Sequence, residues 1–366
     1  MKIMLKTLLS LLLSVALLTA GSARGDATSM AVTKPIEVKV VVVTMFEVGK
    51  DSGDQAGEFQ LWHERQKLDQ RFPFAHHHDL YFNPSTGVLG MVTGIGTAKS
   101  ASAVMELGMD PRFDLSHAYW LVAGIAGFDP EDASIGSAAW AEYLVDADLA
   151  YEIDAREIPA GWSTGYFARG TKEPYDPNKP EPTGEMFHLN PKMTEWAYQL
   201  TRNIHLPDSP VLQKRRALYT NFPNARRPPF VLKGDNLAGM TYWHGKLLNE
   251  WANRWVKYWT NGKGNFVSSA MEDTGTYQSL VYLSRAGKVD KNRVMVLRTA
   301  SNYTMPPPGV TAVDDLLQDH DGYAGLDASV EAAYRVGSKV VDELVDHWDV
   351  YRNRTPAELP VAQVQE

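Results

Sequence analysis

The residues best suited to chemistry stand where apolar runs end. In the segment NFVSSAMEDTGT, Met271 and Glu272 follow an apolar run at a change from a strand pattern to a helix pattern. A carboxylate at such a junction lies at the edge of a sheet, where α/β proteins bind ligands. The alternative is an acidic residue that interacts only with the positive end of the helix dipole. The spacing alone leaves both interpretations open.

Other strand ends bring polar and glycine-rich sequence to what would be the same edge. The segment VMVLRTASN begins as an apolar run and then contains Arg298 and Asn302. The segment VTGIG adds Thr93 and Gly94, and the segment AGIAGF adds a floor of glycines that includes Gly124. Because ligands of open α/β sheets bind at the carboxyl ends of strands, we expect these residues to line one pocket.

Several common site motifs are absent. GIGTAKS lacks the third glycine of a dinucleotide fingerprint and the spacing of a P-loop, although its backbone N–H groups could bind an anion or a hydroxyl. There is no GxSxG and no HExxH, and the chain has no cysteine, which excludes disulfides and thiolate chemistry. Consecutive residues of a strand face opposite sides, so we interpret the triplet His76, His77 and His78 as a solvated loop and predict no metal site.

The positioning elements alternate between β-branched or glycine-ended runs and amphipathic stretches. The sequence predicts extended segments at residues 36–46, 87–96, 118–128 and 137–154, and helices at residues 97–109, 191–204, 242–260 and 326–348. Alternation of this kind predicts a single three-layer α/β domain with helices on both faces of a twisted sheet.

The ends of the chain differ in composition from this domain. Two lysines, an eleven-residue apolar run at 8–18 and small residues predict a secretory signal peptide at residues 1–23. The alternative is an anchor helix, but the run is short against the ~20 residues of a span. We therefore expect an exported protein, periplasmic or secreted, with its domain at 24–353 and a flexible tail at 354–366. The formal net charge of −8 argues against nucleic acid polymers as partners.

The ordered pieces VTGIGTAKSASA, VAGIAGF, AMEDTG and VLRTASN resemble the nucleoside phosphorylase and nucleosidase superfamily. Within it, the whole chain after the signal peptide looks most like the purine nucleoside permease family, which KGDNLAGMTYWHG and RTASNYTMPP support. The resemblance implies a mixed, partly barrel-like central sheet flanked by helices. It also implies a loop-rich insertion at about 155–230, a pocket for a purine nucleoside and no stable membrane span; a homo-oligomer is compatible with it.

The resemblance assigns roles to particular residues. Met271 would pack on the ribose, and Glu272 would accept hydrogen bonds from its 2′ and 3′ hydroxyls. Thr93 and Gly94 would lie near the attacking nucleophile. Arg298 would orient the region of the base. The same likeness places Tyr242 or Trp243 where a side chain could stack on the purine.

The chain departs from the superfamily pattern at the catalytic positions. Asn302 stands where many relatives have an aspartate that protonates the purine, and an asparagine there favours 6-oxopurines. A nucleosidase needs a carboxylate that activates water, for which Glu47 is close in sequence and Glu58 is an alternative. A phosphorylase needs a cationic clamp, for which Arg65 is the candidate, with phosphate as co-substrate and no other cofactor.

Two functions therefore fit the sequence. The first is cleavage of the N-glycosidic bond of purine nucleosides, with phosphorolysis and hydrolysis both open. The second is a non-catalytic nucleoside-binding component that supports uptake. The retained Glu272 fits both functions, and the exchange of an acid for Asn302 favours the second.

Overall fold

The strands form one large mixed sheet and two small two-stranded sheets. The structure, a computed structural model, describes residues 34–320 and 325–359, without the side chains of residues 319 and 320. Over these residues the chain forms sixteen strands: β1 Ile36–Glu37, β2 Val40–Thr44, β3 Gln70–Phe72, β4 Leu80–Asn83, β5 Val88–Val92, β6 Phe113–Asp114, β7 Tyr119–Phe128, β8 Ala138–Ala141, β9 Tyr143–Asp146, β10 Ala150–Glu152, β11 Tyr166–Ala168, β12 Met186–His188, β13 Val231–Lys233, β14 Asp235–Ala238, β15 Phe266–Ala270 and β16 Val294–Tyr303.

Helices connect and cover the strands. In the same described ranges they are α1 Gln60–Arg65, α2 Thr97–Met109, α3 Pro191–Thr201, α4 Pro210–Ala217, α5 Lys246–Trp259, α6 Asp273–Arg285, α7 Ala312–His320, α8 Leu326–Asp346 and α9 Trp348–Tyr351, with 3-10 turns at Lys291–Arg293 and Pro356–Glu358. None of these helices combines the length and the apolar composition of a membrane span.

Strand β7 is the centre of the large sheet, and one of its edges is shared by two strands. Along its other edge it pairs with β16 in parallel over its whole length. On the shared edge its first part, from Tyr119 to Val122, pairs in parallel with β2. Its last two residues pair with β15 in the antiparallel sense. The sheet therefore opens between β2 and β15, beside Ile125, and we call this opening the splay.

The alternation of side chains along β2 builds a core on each face of the sheet. Val41 and Val43 pack into one apolar cluster with residues of α2 and α6. Val40 and Val42 face the opposite cluster, which contains residues of α3 and α8. Full burial of one such valine stabilises the fold by about 1.5–3 kcal/mol. The predicted α/β fold with a mixed sheet and helices on both faces is confirmed.

Strand β16 is longer than its apolar run predicts. It continues past Arg298 to Tyr303, and each of its ten residues is buried. Its register against β7 shifts between Ala300 and Asn302, which leaves Ser301 as the extra residue of a bulge. Bulges change the direction in which the following side chains point.

Other predicted elements differ in their bounds. The insertion at 155–230 contains two helices, α3 and α4, where one was predicted; Pro210 starts α4 behind the capping side chain of Ser209. The helix predicted at 242–260 begins only at Lys246, after Gly245 with a φ of 135°. The first part of the predicted tail contains a 3-10 turn at Pro356–Glu358, which Thr355 and Glu358 cap reciprocally. The predicted signal peptide lies outside the described residues.

Candidate functional site

Two charged side chains fill the splay beside β7. The backbone N–H of Ile125 donates to Oε1 of Glu58 at 2.7 Å. Its carbonyl accepts from Nη1 of Arg298 at 3.0 Å. These side chains satisfy backbone groups that neither β2 nor β15 pairs. The opening in the sheet is therefore stabilised by polar residues, since an unpaired buried N–H or C=O is costly.

Arg298 is held mainly by Asp273, the first residue of α6. Its Nε donates to both carboxylate oxygens at 3.2 and 3.1 Å, and its Nη2 donates to Oδ1 at 2.7 Å. Nη2 also lies 3.0 Å from Oε2 of Glu272. Burial alone would lower the pKa of Arg298, but Asp273 and Glu272 outweigh that effect and raise it. The guanidinium therefore stays charged although its residue is only 1% exposed.

Glu272 stands at the turn between β15 and α6, as the sequence predicts. Its Oε1 accepts from the backbone N–H of Gly96 at 3.0 Å, and its Oε2 accepts from that of Met271 at 3.2 Å. Burial raises the pKa of this carboxyl; the charge of Arg298 opposes the increase and that of Asp273 reinforces it. The side chain is thus fixed at the junction of two strand ends.

Glu58 reaches the same place from the loop that follows β2. Its Oε2 accepts from the backbone N–H of Met45 at 2.7 Å, in addition to the bond from Ile125. Burial raises its pKa to about 8, against the charge of Arg298 and with the help of the charge of Glu272. A carboxyl with this pKa exchanges its proton near neutral pH.

Gly124 allows the charged groups to approach β7. A Cβ atom at this position would lie 2.6 Å from Nη1 of Arg298, 2.7 Å from Oε1 of Glu58 and 2.0 Å from Cε of Met45. Gly124, which was predicted as part of a glycine floor, therefore allows Arg298, Glu58 and Met45 to pack closely against β7.

The side-chain amide of Asn302 is oriented by hydrogen bonds to three residues. Its Oδ1 accepts from Oγ of Ser301 at 2.9 Å, and its Nδ2 donates to the hydroxyl of Tyr242 at 3.0 Å. Nδ2 also donates to the carbonyl of Tyr303 at 3.1 Å. The bulge in β16 thus presents an amide with fixed polarity to the cavity.

A cavity of about 1150 Å³ connects these groups. Its polar lining includes Gln55, Glu58, Tyr242, Ser269, Glu272, Arg298, Ser301, Asn302, Asp327, Glu331 and Arg335. Its apolar lining includes Met45, Phe46, Val48, Ile95, Ile125, Met271, Val211 and Leu326. Predicted residues from four distant segments therefore meet at one site.

Acidic side chains outnumber basic ones among the described residues of this lining. Of the two arginines there, Arg298 pairs with Asp273 and Glu272. Arg335 pairs with Glu331, with Nε 2.6 Å from Oε1. The lining thus favours a neutral or cationic ligand over an anion.

Glu47 does not reach the cavity. Its carboxylate accepts from the backbone N–H groups of Val48 and Phe59, at 2.8 and 2.9 Å, and also from those of Gly57 and Gln60. These bonds close the loop after β2 and cap α1. The structure therefore brings Glu58, the alternative carboxylate, to the site instead.

Several other predicted residues also lie apart from the cavity lining, among them Gly124 beneath it. Arg65 does not line the cavity itself, but its Nη2 lies 2.8 Å from Oε2 of the lining residue Glu331. Trp243 packs in the apolar cluster beneath α5, with its ring 6.1 Å from that of Phe266. Thr93 is buried and donates to the carbonyl of Gly94 at 3.0 Å, and neither residue lines the cavity, although Ile95 does.

Of the histidine triplet, His78 anchors the loop after β2. Nε2 of His78 lies 2.7 Å from Oδ1 of Asp51, in the loop after β2, and its Nδ1 lies 2.9 Å from the carbonyl of Asp79. The hydroxyl of Tyr81 donates to the other oxygen of Asp51 at 2.8 Å. In the described part of the chain, no three metal-ligating side chains converge.

The sequence reasoning missed Asp273 and Ser301. An acid at the start of a helix commonly interacts only with the helix dipole, so its position alone does not mark Asp273 as a site residue. A signal for Asp273 was available in the sequence. Glu272 and Asp273 are consecutive acids, and Arg298 follows an apolar run that predicts burial. A buried arginine requires a carboxylate partner, so one of these acids could be expected to pair with it.

A model of the purine nucleoside permease (NUP) family matches residues 37–356. A purine nucleoside permease of Candida albicans is 30% identical over 321 residues, which cover 86% of this chain and 77% of that protein. A probable purine nucleoside permease of Schizosaccharomyces pombe is 30% identical over 293 residues, which cover 78% of this chain and 82% of that protein.

Two solved structures share the fold. Futalosine hydrolase of Helicobacter pylori matches with a TM-score of 0.51 and 14% identity, over 84% of this chain and 98% of that one. A 5′-methylthioadenosine/S-adenosylhomocysteine nucleosidase of Helicobacter pylori matches with the same TM-score and identity, over 84% of this chain and 99% of that one. The fold is that of nucleoside phosphorylase-like proteins, and by its sequence the chain belongs to the purine nucleoside permease family.

Proposed function

We propose that this protein hydrolyses the N-glycosidic bond of purine nucleosides. The observation that carries the proposal is the pair of buried carboxyls, Glu58 and Glu272, which face one cavity beside a single guanidinium. Nucleoside hydrolysis needs one carboxylate to hold the ribose and another to activate water. The family and the fold support the same substrate class.

Glu272 is suited to bind the ribose. Its Oε1 accepts one backbone N–H and retains a lone pair for a ribose hydroxyl, whereas its Oε2 already accepts from the N–H of Met271 and from Nη2 of Arg298. One hydroxyl of the diol can therefore donate to Oε1. Its negative charge also stabilises the positive charge that develops on the sugar in the transition state. Met271 lines the cavity next to it and offers an apolar surface to the ring.

Glu58 is suited to activate water. A general base works best when its pKa lies near the working pH, and burial places that of Glu58 at about 8. The carboxylate would take a proton from water while the water oxygen bonds to the anomeric carbon. The bond to the purine nitrogen breaks, and the departing base acquires a proton, so one water is consumed per nucleoside.

Charge favours water over phosphate as the nucleophile. Both arginines among the described lining residues are paired with carboxylates, and Arg65, which does not line the cavity, is paired with Glu331. A phosphate in this lining would face the unpaired excess of acidic groups. We therefore favour hydrolysis and retain phosphorolysis as an outcome of the test.

Asn302 and Tyr242 form the end of the cavity that we assign to the base. Both hydrogens of Asn302 Nδ2 are engaged by Tyr242 and Tyr303, but its Oδ1 accepts only from Ser301 and retains a lone pair for a ring N–H, which suits the 6-oxopurine of inosine or guanosine. The amide carries no ionisable proton, so it would hold the departing base without acting as an acid. This property favours the second candidate function, nucleoside binding without cleavage.

The test is to incubate the full chain with inosine in buffers with and without phosphate, and to measure free hypoxanthine. We expect equal release in both buffers. Release only with phosphate would replace hydrolysis by phosphorolysis. Calorimetric binding of inosine without any release would support the binding component instead, and no binding at all would refute the substrate class.

A further inference from the structure

The buried charge cluster beneath the cavity contains more acids than it can neutralise. The carboxyls of Glu58, Glu272 and Asp273 share one guanidinium, that of Arg298, and the four residues are at most 5% exposed. An uncompensated buried charge is costly. At least one of the three carboxyls must therefore keep its proton at neutral pH.

The geometry decides which carboxyl is ionised. Arg298 makes three hydrogen bonds to Asp273, at 2.7, 3.1 and 3.2 Å, but one to Glu272. Among these described side chains, no hydrogen bond joins Arg298 to Glu58. The bonds that ionised Glu58 would accept come from the backbone N–H groups of Met45 and Ile125. The ion pair thus forms with the acid at the start of α6.

We propose that Asp273 is a positioning residue that takes most of the hydrogen bonds of Arg298, so that Glu58 and Glu272 retain a proton between them at neutral pH. The inference rests on the proposed function for its catalytic meaning, because that proton determines when Glu58 acts as a base. Asp273 itself does not line the cavity, so it acts through Arg298.

Burial favours the protonated forms of Glu58 and Glu272, and few charged side chains act on them besides. The titratable side chains that act on Glu58 most strongly are Arg298 and Glu272, and its remaining partners are backbone N–H groups. Those that act on Glu272 most strongly are Arg298 and Asp273. A neutral residue at 273 would therefore return the charge of Arg298 to both glutamates and make them stronger acids.

The experiment compares pH profiles of base release for the wild type, Asp273→Asn and Asp273→Glu. We expect the acid limb of kcat to move toward lower pH by about one unit in Asp273→Asn, and to stay in place in Asp273→Glu, which keeps the charge. The matched control is Asp146→Asn, because Asp146 is also buried and bonds Thr274 of α6 at 2.7 Å without contacting Arg298. The acid limb of the kcat profile of Asp146→Asn should not move.

A second measurement separates this inference from the proposed function. The carboxyl carbon of Glu58, identified by its loss in Glu58→Gln, is titrated by ¹³C NMR in the wild type and in Asp273→Asn. We expect titration near neutral pH in the wild type and at lower pH in the variant. The inference would be overturned if Glu58 of the wild type titrates at the acidic pH of an ordinary carboxyl. It would also be overturned if Asp273→Asn is active and the acid limb of its kcat profile does not move. A protein that releases no base but titrates as expected would refute only the hydrolysis.

Discussion

Glu58 and Glu272 lie against the same guanidinium but differ in what they contact. Glu272 bridges the starts of α2 and α6 through backbone N–H groups, whereas Glu58 bridges the end of β2 and the middle of β7. One is therefore fixed at the ribose side of the proposed site, and the other at the splay of the sheet. Each position leads to a different prediction.

Glu58→Gln should abolish the rise of activity with pH. An amide cannot take a proton from water, so we expect kcat to fall by about 10²–10⁴-fold, the usual contribution of a general base. Inosine binding, measured by calorimetry, should change little. The matched control is Asp235→Asn, a buried carboxyl that also bonds backbone N–H groups but lies away from this cavity. A Glu58→Gln enzyme with the wild-type pH profile would exclude this residue as the base.

Glu272→Gln should weaken discrimination by the ribose hydroxyls. A hydrogen bond to a charged group contributes about 1.5–3 kcal/mol, so the wild type should bind inosine at least about tenfold more tightly than 2′-deoxyinosine. The variant should lose most of that difference. Equal affinity of the wild type for both nucleosides, measured by calorimetry, would contradict the assigned role.

Some residues of the candidate site could be predicted from the sequence, and others could not. Glu272, Met271, Arg298 and Asn302 could be found because they follow apolar runs at strand ends. The choice between Glu47 and Glu58 could not be made, since both lie in one loop and only its folded path decides which carboxylate enters the cavity.

At the scale of elements, the splay between β2 and β15 creates the space for the site, and Gly124 of β7 keeps it open. Gly124→Ala should destabilise the protein by about 1–3 kcal/mol, because the new methyl group overlaps Met45 and the buried Arg298. Urea unfolding measures the loss. The control is Gly127→Ala in the same strand, where the nearest atom would be 3.1 Å away. A larger loss in the control would show that the cluster is not tightly packed.

The apolar periodicity of the sequence predicted the core strands and long helices but not the full length of β16. Its part after Leu297 contains Arg298, Ser301 and Asn302, which are polar and yet buried. Their burial depends on partners such as Asp273 and Tyr242, which are distant in the chain. Local patterns contain no information about such partners, so the polar part of the strand could not be assigned from them.

At the scale of the whole molecule, buried carboxyls make stability depend on pH. Burial raises the pKa of Glu58 from 4.5 to about 8, and those of Asp132 and Asp235 from 3.8 to about 6. Between these values the folded state binds more protons than the unfolded state. The free energy of unfolding therefore falls as pH rises through this window. Carboxyls with a lowered pKa act in the opposite sense, but only at more acidic pH.

Urea unfolding at pH 5, 6.5 and 8 should show stability decreasing toward pH 8. In Glu58→Gln the decrease between pH 6.5 and 8 should be smaller, because the group that titrates there is gone. Stability that rises over this interval in the wild type would mean that Glu58 is already ionised near pH 5.

The product formed from inosine tests the central claim most directly. The full chain is incubated with inosine in phosphate buffer, and the sugar is identified by NMR. If the cluster of Glu58, Glu272 and Arg298 directs water to the anomeric carbon, free ribose should appear in equal amount with hypoxanthine even at saturating phosphate. Ribose 1-phosphate as the product, or intact inosine after prolonged incubation, would contradict the account.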